Sequence, residues 1–164
     1  MQSVINKPQK AQPRALHALY RPAFLLALAG VLSACASYRD VPANAPLPEA
    51  LSIMGQATHQ CERADGGQRL LWSQQPNGQY VYGADVNAEG YLIGSVYSVL
   101  TSQNFKKLDR GQWSAQAVLC EFGPPAEIET LGLGEKREQI WSYRYKEVNH
   151  WNKLLHIYMG KDGQ

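Results

Sequence analysis

The chain has 164 residues, a length typical of one domain or of two very small ones. Its composition, 45% hydrophobic and 18% charged, is that of a globular protein and excludes a collagenous or polytopic membrane chain. The formal net charge of +2 comes from the N-terminus, because residues 1–34 contain four basic and no acidic side chains. The rest of the chain is slightly acidic. Nucleic-acid binding is therefore disfavoured, since neutralising phosphates requires an excess of Lys and Arg.

Residues 1–34 predict an export signal. A basic, acid-free segment runs from Met1 to Arg21 and is followed by an uncharged apolar run over residues 22–32. A run of this length is too short to span a hydrocarbon core of ~30 Å. It suits the apolar region of a secretory signal peptide. The alternative is a helix buried in a core.

The apolar run ends in Leu32-Ser33-Ala34-Cys35, which resembles the bacterial lipobox. The resemblance implies that the mature protein begins at Cys35 with acyl chains, labelled by palmitate, that anchor it stably in a membrane. Ala36 replaces the aspartate that retains enteric lipoproteins in the inner membrane. The resemblance thus implies an outer-membrane lipoprotein on the periplasmic face. The alternative is a secreted protein in which Cys35 is free or disulfide-bonded.

Residues 35–48 are predicted to form the lipidated cysteine and a tether. Residues 36–48 contain three prolines and no apolar periodicity, which is typical of an extended spacer.

The remainder divides into two similar halves, residues 49–100 and 101–164. Within them, residues 49–92 and 116–164 share an order of features, and each of these stretches opens with a short apolar helix candidate, residues 49–54 or 116–122, that stops at Gly55 or Gly123. Each then reaches a Trp-Ser pair. Ser114 is a good N-cap for the second helix. Residues 101–108 would form another helix and complete a helical hairpin. Chance similarity is the alternative to a repeat.

Alternating side chains predict strands. Trp141, Tyr143 and Tyr145 point one way and should face the helices. Other strands are expected around residues 70–72, 80–86, 93–99 and 155–159. The predicted fold class is α+β, with a short helical hairpin packed on small antiparallel sheets and two such units in tandem.

The segment Val118-Leu-Cys-Glu-Phe-Gly-Pro-Pro125, followed by Trp141-Ser-Tyr143, resembles the BamE-like (SmpA/OmlA) outer-membrane lipoproteins. The resemblance covers about residues 101–160. It implies two helices on a three-stranded antiparallel sheet, and a non-enzymatic protein that supports β-barrel assembly by binding partner proteins and lipid. The residues that occupy the positions of the family motif are Gly111, Gly123, Pro125, Trp141 and Tyr143.

The chain departs from the family pattern in two respects. It carries a second, weaker copy in residues 49–100, and the second half lacks a final strand that the first half has. Tandem copies are also similar, more weakly, to the fold of β-lactamase inhibitor proteins. We therefore expect a non-catalytic interaction module with an envelope protein partner, acting in envelope or outer-membrane protein assembly. The alternative is an inhibitor-like or sequestering protein-binding module.

Enzymatic, metal and cofactor chemistry is not expected. His59 and Cys61 would form a nucleophile pair, but no oxyanion motif accompanies them. His150 and His156 would share a strand face, but no third ligand completes a metal site. Glu127 and Glu129 share a strand face and are expected to be solvated.

Two further expectations concern cysteines and aromatics. Once Cys35 is acylated, Cys61 and Cys120 remain in an oxidising compartment, where a disulfide between them is possible. Cys120 lies off the apolar stripe of its helix and faces away from its own sheet, toward the first half. Two reduced thiols are the slightly favoured alternative. Trp151 and Tyr158 are expected in the core, whereas exposed positions would mark a protein interface.

Overall fold

A computed structural model describes residues 37–160 of the chain. The fold is α+β, as the sequence predicted, with helices and two antiparallel sheets. The predicted signal peptide and Cys35 lie outside the described residues.

Local sequence signals mark the start of one helix and the ends of two. They are α1 (Leu47–Met54), α2 (Ser102–Phe105) and α3 (Ala115–Phe122). The Ser114 hydroxyl accepts a hydrogen bond from the Ala117 N–H, which confirms the predicted N-cap. Helix α1 ends at Gly55 and α3 at Gly123, both at positive φ, where glycine is least strained. Helix α2 is shorter than predicted, because residues 106–109 form turns.

The first sheet has the strand order β1-β2-β3-β4. Its strands are β1 (His59–Glu62), β2 (Gln68–Ser73), β3 (Val81–Val86) and β4 (Tyr97–Ser98). Strand β1 was not expected from the sequence, since its four residues are polar apart from one cysteine. Strand β4 is much shorter than the predicted 93–99.

The second sheet is a three-stranded antiparallel meander, β5 (Glu127–Leu131), β6 (Glu138–Tyr145) and β7 (Lys153–Met159). Trp141, Tyr143 and Tyr145 on the central strand are all buried and pack in one core with residues of α2 and α3. The prediction that these aromatics face the helices is confirmed.

Helix α3 is shared by both sheets. Its buried Val118 and Phe122 belong to one core with Leu71 of the first sheet and Trp141 and Tyr143 of the second. A separate core lies on the opposite face of the first sheet, against α1, and includes Trp72 and Val86. The first sheet is thus covered on both faces.

The segment predicted as a tether is folded over most of its length, which corrects that expectation. Tyr38–Asp40 form a 3-10 helix, and Val41 and Ala45 are buried in the α1 core. The N–H of Leu92 donates to the Ala45 carbonyl at 2.9 Å. Apolar side chains spaced between the prolines bury against the sheet, so proline content alone was a poor guide.

Both halves place an aromatic donor on the carbonyl of the glycine that ends the helix. Trp72 Nε1 donates to the Gly55 carbonyl at 2.9 Å, and the Tyr143 hydroxyl donates to the Gly123 carbonyl at 2.8 Å. In each half the donor lies on the second strand after the glycine. That the halves are tandem copies of one BamE-like unit stays a prediction.

Candidate interaction surface

The residues of the predicted motif have mainly structural positions. Gly123 is buried at the end of α3, and Pro125, half-buried, follows it before β5. Trp141 and Tyr143 are buried on β6. Gly111 lies in the exposed loop before α3 at φ 79°. Trp141 and Tyr143 pack in one core with Val118 and Phe122 of α3, and the five motif residues do not meet at a cleft.

Cys61 and Cys120 are joined by a disulfide, with an S–S distance of 2.00 Å and a Cα–Cα distance of 5.7 Å. Cys61 is on β1, and the strand register puts it on the face that meets α3, opposite Arg69. Cys120 projects from α3 toward that strand. The bond therefore ties the edge of the first sheet to the helix of the second half.

A charged network runs along the same seam. Asp85 on β3 pairs with Arg63 at 2.9 Å and with Arg69 at 2.7 Å. Arg69 also pairs with Glu121 on α3, which in turn pairs with Lys107. The side chains of Arg69, Asp85 and Glu121 are less than one-fifth exposed. An ion pair from β2 and a covalent bond from β1 thus both join the first sheet to α3.

The pKa values within the network reflect this pairing. Burial by itself raises the pKa of the Asp85 carboxyl, but the hydrogen bonds and charges of Arg69 and Arg63 outweigh burial and hold that pKa below its usual value. Burial raises the pKa of the nearby Tyr97 to about 12. At neutral pH the Asp85 carboxylate is therefore charged and paired, whereas the Tyr97 phenol is neutral.

The predicted nucleophile pair is geometrically close. His59 Nε2 lies 3.5 Å from Cys61 Sγ, and these atoms form a compact group with Cys120 Sγ, all within 4.8 Å of one another. In the disulfide, however, neither sulfur is the thiolate that nucleophilic attack or metal binding requires. In the part of the chain that is described, this is the one group of three potential ligands that is close enough to hold a metal ion.

The two histidines of the second half do not share a strand face. His150 lies in the β6–β7 turn, where its Nδ1 is 2.7 Å from the Val148 carbonyl. His156 is on β7, with Nδ1 2.9 Å from the Ser142 hydroxyl. Their even spacing placed both on one strand, but β7 begins only at Lys153.

Trp151 and Tyr158 are exposed, so the expectation that they lie in the core is wrong. Trp151 is 91% exposed in the β6–β7 turn, and Tyr158 is 64% exposed on β7. Tyr158 alternates with the half-buried Ile157, which packs against the core. The register of β7 on β6 determines which of its side chains face the core. The aromatic character of Tyr158 does not indicate this register.

Tyr158 belongs to a solvent-facing side of the second sheet, which we call the outer face. It consists of the residues opposite the helices, as the strand register defines them: Glu127, Glu129, Leu131, Glu138, Ile140, Ser142, Arg144, Leu154, His156 and Tyr158. Ile140 is only 9% exposed on this face, because its neighbours Glu129 and Tyr158 flank it. Leu131, Leu154 and Tyr158 each expose more than half of their surface.

An apolar groove borders the outer face along β7, an edge strand of the sheet. It has a volume of about 490 Å³ and lies between β7 and the residues around α2. Phe105, Leu108, Tyr145, Leu155 and Ile157 line it. Exposed apolar side chains and an edge strand are the features through which proteins commonly bind a partner chain.

Among the described residues, no helix is long and apolar enough to cross a membrane. Comparison with family models, curated proteins and solved structures gives no match to this chain. The BamE-like resemblance therefore depends on the motif residues alone.

Proposed function

We propose that the chain is a lipid-anchored outer-membrane lipoprotein facing the periplasm. In this proposal it acts as a non-catalytic interaction module in envelope or outer-membrane protein assembly. It binds an envelope protein through the outer face of the second sheet, while the acylated Cys35 holds it to the membrane.

The observation that carries the proposal is the exposure of large apolar side chains on the outer face. Tyr158 lies opposite Ile140 on one side, and Leu131 lies diagonally from Ile140 on the other, with Glu129 and Glu138 as their polar neighbours. Aromatic and aliphatic side chains ringed by polar ones are typical of protein interfaces. Leu133, 85% exposed in the β5–β6 loop, extends the apolar surface beyond the end of the strands.

The non-catalytic part of the proposal is supported by the disulfide. Cys61 is the nucleophile that the sequence offers beside a histidine, and its sulfur is bonded to Cys120. The same bond and the Asp85–Arg69–Glu121 ion pairs hold the first sheet against α3. Rigid scaffolding suits a module that presents a fixed surface to a partner, since little entropy is lost on binding.

Site-specific photo-crosslinking in intact cells tests the partner surface. A photoreactive phenylalanine analogue at Tyr158 should crosslink to a component of the envelope assembly machinery. The matched control is Tyr91, which is exposed on the first half, outside the second sheet, and should not crosslink to that component. Tyr158→Arg should weaken co-purification of the same component with little change in thermal stability, because the side chain is exposed and the aliphatic part of arginine still covers Ile140.

The outcomes separate the two hypotheses. Equal crosslinking from both positions, or none from Tyr158, would refute the outer face as the binding surface. A single soluble periplasmic protein captured at Tyr158 would instead favour the inhibitor-like or sequestering alternative.

The anchoring part of the proposal has its own test. Cys35→Ala should leave an unprocessed precursor that no longer incorporates palmitate, because the thiol is the acceptor for the lipid. A variant that is still cleaved after Ala34 and still labelled would show that the lipobox interpretation is wrong.

A further inference from the structure

Very little chain separates the predicted lipid attachment site from the folded domain. Ser37 already caps the 3-10 helix Tyr38–Asp40, accepting from the Arg39 N–H, while its own N–H donates to Asp40 Oδ2 at 2.6 Å. Only Ala36 lies between Cys35 and Ser37, and two residue steps of extended chain reach at most ~7 Å. If Cys35 carries acyl chains, the part of the domain around Tyr38 must lie at the membrane surface.

The tip of the β6–β7 hairpin, residues 146–152, lies next to this N-terminal segment. Ser37, Tyr38 and Arg39 line a cleft of about 600 Å³ together with Lys146, Glu147 and Val148. The ring of Tyr38 stacks on Tyr82 at a centroid distance of 4.3 Å, which fixes the segment on the first sheet. The hairpin tip and Ser37, the first described residue, are therefore on the same side of the domain.

The base of the hairpin tip is fixed to the helical layer. Glu147 accepts hydrogen bonds from the Ser102 N–H at 2.8 Å and from the Ser102 hydroxyl at 2.9 Å, and it pairs with Lys153 at 3.1 Å. These contacts hold the turn in one position relative to α2. The side chains beyond them project from a rigid support.

The side chains at the tip suit the interface between lipid and water. Trp151 is 91% exposed and Val148 is 76% exposed, although each is large and apolar. Tryptophan is enriched at the headgroup level of membranes, where its ring is half in contact with acyl chains. The nearby charged side chains are Arg39, Lys146 and Lys153, which are basic, and Asp40 and Glu147, which are acidic. The slight positive excess favours phospholipid phosphates.

We propose that the hairpin tip docks on the phospholipid bilayer that holds the lipid anchor, with Trp151 and Val148 entering the headgroup region. The inference rests on the proposed lipid anchor. It adds an orientation to the proposed function: strand β6 runs for eight residues, about 25 Å, from the β5–β6 loop with Leu133 to the hairpin tip. Docking the tip on the membrane directs Leu133 and Leu131 away from it, toward a partner.

Tryptophan quenching tests the docking. The lipoprotein purified from membranes is reconstituted into vesicles of phosphatidylcholine and phosphatidylserine, with and without bromine on the upper acyl chains. We expect bromolipid to quench the wild-type emission, and we expect Trp151→Phe to lose most of this quenching. Trp113→Phe, which removes a half-buried indole that donates to the Arg110 carbonyl, should retain it.

A second pair of variants tests the apolar contact without removing the reporter. Val148→Asp should reduce the quenching of Trp151, because a carboxylate opposes entry into the headgroup region. Leu133→Asp, a similar change at the opposite end of β6, should not. Emission that is unquenched by bromolipid but quenched by aqueous iodide would overturn the docking, even when mass spectrometry shows the acyl chains in place. If mass spectrometry finds no acyl chain, the proposed anchoring fails, and the docking fails with it.

Discussion

The disulfide between Cys61 and Cys120 leads to a quantitative prediction about stability. It joins positions 59 residues apart, one on an edge strand and one on the helix that both sheets share. Replacing both cysteines with serine removes the cross-link but keeps side chains of similar size. The bond restricts the conformations of the unfolded chain, and the restriction is large because the closed loop contains more than a third of the 164 residues.

The chain-entropy model gives the magnitude. For a loop of this length it assigns about 4 kcal/mol of stabilisation at 25 °C. That is a large fraction of the ~5–15 kcal/mol that separates folded from unfolded states in domains of ordinary stability. The first sheet and α3 would stay together in the folded state, because the Arg69–Glu121 ion pair and the core shared by Leu71, Val118 and Phe122 still join them.

The assay is urea denaturation of the oxidised wild type and of the Cys61→Ser/Cys120→Ser variant, followed by tryptophan fluorescence. We expect the midpoint to fall. The slope should rise, since the unfolded variant exposes more surface than a cross-linked chain. The reduced wild type is the matched control and should behave like the double variant.

Alkylation decides whether the bond forms at all. If the unreduced, denatured protein labels at both internal cysteines, the disulfide is absent. If the bond is present but its removal lowers the free energy of unfolding by less than about 1 kcal/mol, restriction of the unfolded chain is not its main effect.

Two other predictions concern the second half. Trp141→Ala should lower the free energy of unfolding by ~3–5 kcal/mol in chemical denaturation, because the substitution leaves a cavity in the core shared by both sheets. A loss below about 1 kcal/mol would contradict the burial of this side chain. Hydrogen bonds from Ser102 and the nearby Lys153 lower the pKa of Glu147 from 4.5 to about 2. The contribution of Glu147 to stability is therefore present above pH 4.5 and is lost as the pH falls toward 2. Glu147→Gln should flatten the pH dependence of stability in that window, and a variant whose dependence is as steep as that of the wild type would contradict this role of Glu147.

The sequence by itself determined the elements whose signals are local. The Ser114 cap, the glycines that end α1 and α3, and the alternation of Trp141, Tyr143 and Tyr145 each depend on residues within one turn or one strand. The export signal and the lipobox resemblance are likewise read from short contiguous segments, and they stay predictions. The α+β class follows from these elements, because short helices and alternating strands have few ways to bury their apolar sides.

Only the tertiary structure decided which faces are buried and which elements meet. Trp151 and Tyr158 are chemically suited to a core, but both are exposed to solvent. Trp151 lies in the β6–β7 turn, and the strand register places Tyr158 on the face of the sheet opposite the helices. Val41 and Ala45 lie among prolines, yet a neighbouring sheet gives them a surface to pack on. Cys120 points away from the apolar stripe of its helix, and only the placement of β1 beside that helix brings Cys61 within bonding distance. Each outcome depends on pairings between residues far apart in the chain, which no local pattern encodes.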